Sequence, residues 1–69
     1  MGKLKINGTD RQFEDGIPGT LSRLLAVLSL SEATVVAEID GKIVSRDKFS
    51  ETELNEGQKI ELIRFVGGG

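Results

Sequence analysis

Lys59-Ile60-Glu61-Leu62-Ile63-Arg64-Phe65-Val66, followed at once by Gly67-Gly68-Gly69, is the stretch on which the fold turns. Ile60 and Leu62 share one strand parity, while Glu61, Ile63 and Phe65 share the other. This is the most apolar strand of the chain and it comes last, so it must insert into a sheet that earlier strands supply. The first parity suits a face covered by a helix. The second puts a branched aliphatic and an aromatic side chain on an open face, and exposed apolar patches mark partner surfaces. Ile63, Phe65 and Val66 are therefore expected at an interface; the alternative for Ile63 and Phe65 is packing under a loop.

Working back from that strand, the polar stretch Ser45–Gln58 carries Phe49 and Leu54 as anchors onto a core and ends in a turn at Asn55-Glu56-Gly57-Gln58. Before it, Val35, Ala37 and Ile39 alternate with Val36, Glu38 and Asp40 as a strand. Asp40-Gly41 then signals a hairpin into the short strand Lys42-Ile43-Val44. Thr20 is a suitable N-cap for a helix. Leu21, Leu24, Leu25 and Leu28 follow at i, i+3, i+4 and i+7, which lines one helical face with leucine for the core. At the start of the chain, Leu4 and Ile6 alternate with Lys3 and Lys5. Asn7-Gly8 supplies a tight turn, and Thr9–Glu14 returns as a second strand with Phe13 directed inward. Asp15–Gly19 is a loop, where Pro18 discourages continuation of a ladder.

Two hairpins thus flank one helix. A single helix covers one face of a sheet, so the expected fold class is α+β: a mixed sheet of about four to five strands with one helix packed on one face and the other face open. That order of elements is the order of the β-grasp, the ubiquitin-like roll. Residues 1–66 are expected to form its single domain and residues 67–69 a flexible glycine tail.

Composition narrows the function. Sixty-nine residues form one small domain, with no cysteine for a disulfide and no histidine for a metal or a nucleophile–base pair. Nine Lys and Arg against eleven Asp and Glu give a net charge of −2 without a basic block, which argues against nucleic acid or an anionic membrane as the main partner. No apolar run approaches the ~20 residues of a membrane span. Met1-Gly2 opens like a myristoylation signal, but Ile6 stands where Ser or Thr is required. Gly16-Ile17-Pro18-Gly19-Thr20 lacks the Gly-Lys-Ser/Thr core of a phosphate loop. Glu51, Glu53 and Glu56 lack an EF-hand pattern. A cytoplasmic monomer is expected.

Gly67-Gly68-Gly69 has no β-carbons, so it can adopt backbone conformations closed to other residues and thread a channel too narrow for side chains. The reactive group it offers is the main-chain carboxylate of Gly69. Ionised at neutral pH, that carboxylate must be activated by another protein, most simply as an acyl-adenylate made from ATP. This reading makes the chain a carrier or modifier acted on by enzymes. A plain glycine end or a cloning scar is the alternative.

The residues also resemble a family. Glu56-Gly57-Gln58-Lys59-Ile60-Glu61 with Phe65-Val66-Gly67-Gly68-Gly69 is similar to the ending of the ThiS family, the ubiquitin-like sulfur carriers of thiamine biosynthesis. Asp40-Gly41-Lys42-Ile43-Val44-Ser45-Arg46 resembles its Asn-Gly-x-Val-Val-Pro-Arg segment, with Ser45 in place of Pro and Asp40 in place of Asn. Thr20-Leu21 with Leu24-Leu25 matches its helix start, and Ile6-Asn7-Gly8 its first turn. The resemblance implies that the Gly69 carboxylate is adenylated by an E1-like adenylyltransferase (ThiF-like) that uses ATP. It also implies that sulfur from a cysteine desulfurase then displaces AMP to leave a thiocarboxylate, and that a thiazole synthase (ThiG-like) takes the sulfur. No permanently bound cofactor is implied. Gly67, Gly68, Ile63, Phe65 and Val66 are the residues expected to meet partners. The glycine tail is shared with molybdopterin synthase small subunits (MoaD-like) and with ubiquitin-like modifiers. Both remain alternatives, although the Pro-Pro-Val-Ser-Gly-Gly type of ending is absent.

Overall fold

In the computed structural model, residues 2–64 are described. The strands are β1 (Gly2–Ile6), β2 (Thr9–Phe13), β3 (Val35–Ile39), β4 (Lys42–Val44) and β5 (Lys59–Arg64), and the helix is α1 (Leu21–Val27). They form one five-stranded sheet in the order β2-β1-β5-β3-β4. The last strand occupies the centre, parallel to β1 and antiparallel to β3, while each hairpin supplies one wing. This is the β-grasp arrangement, with a mixed sheet and a single helix.

Both hairpins close through two residues with positive φ: Asn7 and Gly8 at 51° and 83°, Asp40 and Gly41 at 51° and 86°. Those paired values are the type I′ geometry, whose twist matches that of the strands it joins. Asp40 therefore belongs to the turn, and β3 stops at Ile39, because a ladder cannot continue through a left-handed residue. Glu14 likewise falls outside β2.

The inner face of the sheet follows the alternation in the sequence. Leu4, Val35, Ala37, Ile39, Ile60 and Leu62 are buried there and join Leu21, Leu24 and Leu25 of α1 with Phe49 and Leu54 in one core. Leu28 and Phe13 pack on its margin as half-buried residues. Gly2 is buried against the loop that follows β2. A Cβ there would sit 2.6 Å from Cγ2 of Ile17 and 2.9 Å from its backbone nitrogen, so only glycine lets that loop close over the first strand.

At seven residues α1 is too short to persist alone, and its ends are held by specific bonds. The Thr20 hydroxyl accepts from the Arg23 N–H at 3.2 Å. The backbone N–H of Leu21 donates to the Thr52 carbonyl and that of Ser22 to the Phe49 carbonyl. At the other end Leu28 is the C-cap, so the leucine stripe outlasts the helix by one residue. Ser29 then turns left-handed at φ 60°. Its N–H donates to Ala26 while Leu30 donates to Leu25, which is the Schellman pattern.

Two short 3₁₀ turns, Glu32–Thr34 and Arg46–Lys48, lie where the sequence offers no periodicity. The stretch between Ser45 and Gln58 is thus more ordered than its polarity suggests. Thr20 and Glu53 form an isolated bridge, and the Leu54 N–H donates to the Gly19 carbonyl, tying the segment to the start of the helix.

Candidate functional site: the end of the central strand and the open sheet face

The central strand leads to the glycine tail, so its local supports decide how the chain end is presented. β1 pairs with β5 at Lys5–Lys59 and Ile6–Ile60, and the Asn7 N–H donates to the Ile60 carbonyl at 2.9 Å. There β1 turns away into its hairpin, leaving the next part of β5 without a strand on that side. The Asn7 side chain fills the gap. Its Oδ1 accepts from the Leu62 N–H at 2.7 Å, and its Nδ2 donates to the Leu62 carbonyl at 3.2 Å. A primary amide offers the same donor and acceptor as a peptide group, so Asn7 stands in for the missing strand residue. On the opposite side β3 pairs with β5 out to Val35–Arg64. The base of the tail therefore leaves from backbone that is bonded on both sides at Leu62.

The sequence shows Asn7 only as a residue that tolerates positive φ. The signal for its second role is topological: a central strand that outruns one neighbour needs a substitute partner at its end. Asp40 also serves twice, accepting the Lys59 N–H at 3.0 Å through Oδ1 where β5 begins.

The open face carries the other parity of β5. Glu61 is half-buried and Ile63 is 51% exposed, as the alternation requires. Ile63 lies directly across from Val36 of β3, and Glu61 across from Glu38. Ile43 of β4, opposite Glu38, is 72% exposed. Val36, Ile43 and Ile63 therefore form an apolar patch on the uncovered side of the sheet. Ile43 was legible through the hairpin register, because a two-residue turn at Asp40-Gly41 pairs Ile39 with Lys42 and sends Ile43 to the open side. The three-residue strand is too short for its own alternation to show this.

Of the residues expected to meet partners, Ile63 lies on this face. Phe65, Val66, Gly67, Gly68 and the proposed reacting end Gly69 lie outside the described residues. Arg46, part of the segment that carries the family resemblance, has a structural role. Its Nε donates to the Glu32 carbonyl at 2.7 Å and joins the two 3₁₀ turns. The Gly16–Thr20 loop has no amides to offer a phosphate. The N–H groups of Leu21, Ser22, Arg23 and Leu24 are all taken, by Thr52, Phe49, the Thr20 hydroxyl and the Thr20 carbonyl. Among the described residues no group of three His, Cys, Asp or Glu is placed to hold a metal ion, and no helix is long and apolar enough to cross a membrane.

Comparison with known proteins agrees with this geometry. A sequence profile of the ThiS family matches residues 4–69. The chain is 35% identical over 66 residues to the sulfur carrier protein ThiS of Bacillus subtilis, covering 96% of this chain and 98% of that one. It is 34% identical over 67 residues to a thiazole synthase of Paramagnetospirillum magneticum, of whose length it spans only 20%. Among solved structures, the crystal structure of the thiamine biosynthesis protein (ThiS) from Geobacter metallireducens superposes with a TM-score of 0.81 at 28% identity, over 97% of this chain and 99% of that one.

Proposed function

The chain belongs to the ThiS family, the sulfur carriers of thiamine biosynthesis, and on that premise we propose how its end works. The carboxylate of Gly69 attacks ATP on an E1-like adenylyltransferase, releasing pyrophosphate and forming an acyl-adenylate. Sulfur supplied through a cysteine desulfurase displaces AMP, and the terminus becomes a thiocarboxylate. A thiazole synthase then accepts that sulfur. The chain is a substrate of these enzymes and supplies no catalytic group of its own.

The observation that carries this reading is the continuity of a doubly bonded central strand with a side-chain-free tail. β5 holds the base of the tail in a fixed direction through β3 and Asn7. Three glycines beyond it can pass where a side chain would clash. The absence of cysteine fits the same chemistry, because no side chain of this protein can hold a persulfide. Thiolate-type sulfur is the nucleophile that a carboxylate oxygen is not near neutral pH, so loading sulfur onto the terminus creates reactivity the protein otherwise lacks. The likeness of a segment of the Paramagnetospirillum thiazole synthase to this whole chain supports a thiazole synthase as the acceptor. The open face around Ile63, together with Phe65, Val66, Gly67 and Gly68, is the surface proposed to meet these enzymes.

Intact-mass analysis of the protein isolated from its own cells tests the reading. The expected result is a species in which one sulfur has replaced one oxygen, located by fragmentation to Gly69. Conjugates to lysines of other proteins, with no sulfur at the terminus, would assign the chain to the modifiers instead.

A further inference from the structure

The open face is ordered into three bands that run across the strands. Along β5 the outward residues read Lys59, Glu61, Ile63 toward the tail. β3 runs antiparallel and repeats the sequence of bands, with Val36 opposite Ile63 and Glu38 opposite Glu61. β1 adds Lys5 level with Lys59, and Lys3 beyond it. The result is an apolar band next to the tail, then an acidic band, then a basic one, at steps of roughly 7 Å, two strand residues.

The acidic band has no structural explanation. Like charges directly opposite on neighbouring strands destabilise a sheet, yet Glu38 and Glu61 face each other half-buried. Among the described residues neither has an ion-pair partner. Lys3 and Lys5 both lean toward Asp10 at 3.9 Å instead, and the remaining pair joins Lys48 to Glu51. Two carboxylates kept unpaired beside the exposed Ile43 and Ile63 leave a cation to be supplied from outside.

We propose that this face docks the adenylating enzyme through a complementary surface: an apolar pocket for Ile63, Val36 and Ile43 nearest the channel that takes the tail, then an arginine or lysine between Glu38 and Glu61, then carboxylates facing Lys5 and Lys59. This rests on the carrier reading above and specifies the chemistry of its first partner. A band order that is not symmetric along the strands admits one orientation. Reversed, the acidic band would still find a cation, but the lysines would meet the apolar pocket and the tail would point away from the channel. The charges thus set direction and encounter rate, while the apolar band supplies the buried contact.

The test uses full-length chain and its cognate adenylating enzyme, with binding measured calorimetrically without ATP at low and high salt, and with thermal unfolding of each carrier variant. Glu38→Gln/Glu61→Gln removes the repulsion and keeps the shape, so its unfolding midpoint is expected to hold or rise. Its dissociation constant is expected to increase about tenfold or more, with a shallower salt dependence. Glu61→Lys is expected to weaken binding further. Ile63→Asp is expected to weaken binding with the salt dependence retained. If Ile63→Asp weakens binding but the double glutamine variant stays within twofold of the parent at both salts, the acidic band is not a contact and the proposal falls while the carrier reading stands. If the unaltered chain neither binds the enzyme nor supports ATP–pyrophosphate exchange, the carrier reading falls and takes this proposal with it.

Discussion

Ser29 holds a conformation that its type resists. At φ 60° it occupies the left-handed position that ends a helix in the Schellman pattern, where glycine is the usual residue because a β-carbon crowds the following carbonyl. Its N–H and that of Leu30 satisfy two carbonyls of the last turn, so the strain is kept for the sake of the bonds. Ser29→Gly is expected to stabilise the domain by about 0.5–1 kcal/mol, the relief of strain being offset in part by the greater freedom of glycine in the unfolded chain. The thermal midpoint would rise by about 2–8 °C. A fall in midpoint would show that the Ser29 side chain contributes a stabilising contact. Ser29 and Asn7 were both opaque in the sequence for the same reason. Serine after a leucine-rich helix and asparagine before glycine are common, and their roles depend on which backbone groups the fold brings within reach. Asp40 was half legible: its turn with Gly41 was evident, but its bond to Lys59 joins residues nineteen apart.

At the scale of the element, α1 is the part whose sequence determines it most directly. Leu21, Leu24 and Leu25 are fully buried against the inner sheet face, and nothing about them suggests recognition. Leu25→Ala is expected to cost about 2–5 kcal/mol, a large share of what so small a domain has in reserve. Chemical denaturation would show it as a lowered midpoint, with adenylation lost only in proportion to the unfolded fraction. Full folding with lost adenylation would instead place the leucine stripe in a contact surface. The strands were equally readable, since period-two alternation and two Xaa-Gly turns fix register as well as position. The 3₁₀ turns at Glu32–Thr34 and Arg46–Lys48 were not readable. They carry no apolar period, and what holds them is a side chain reaching across fourteen residues, from Arg46 to the Glu32 carbonyl. Polar segments of this kind are ordered by bonds to distant backbone, which no local pattern announces.

For the whole molecule, the decisive feature is that β1 and β5 are parallel neighbours at the centre of the sheet. Ile6 lies beside Ile60, so Gly2 is four residues to one side of that level and Arg64 four to the other, roughly 26 Å apart along the strands. Anything attached ahead of Gly2 emerges at the far end of the sheet from the base of the tail. An N-terminal affinity tag is therefore expected to leave adenylation unchanged, whereas a C-terminal tag, which consumes the carboxylate, is expected to abolish it. Gly68→Val separates threading from chemistry, since it leaves the carboxylate in place but adds a β-branched side chain to the thread and restricts its backbone. Its unfolding midpoint is expected to match the parent, and ATP–pyrophosphate exchange with the cognate adenylating enzyme to fall to near background. Deleting Gly69 is expected to be as damaging, because it draws the carboxylate back by about 3.3–3.6 Å from a site that needs near-attack geometry. Normal exchange and thiocarboxylate formation by a C-terminally tagged protein, with the tag shown by mass to be intact, would mean that a group other than the Gly69 carboxylate is activated. The central strand would then be a structural strand only, and the three glycines beyond it no part of the chemistry.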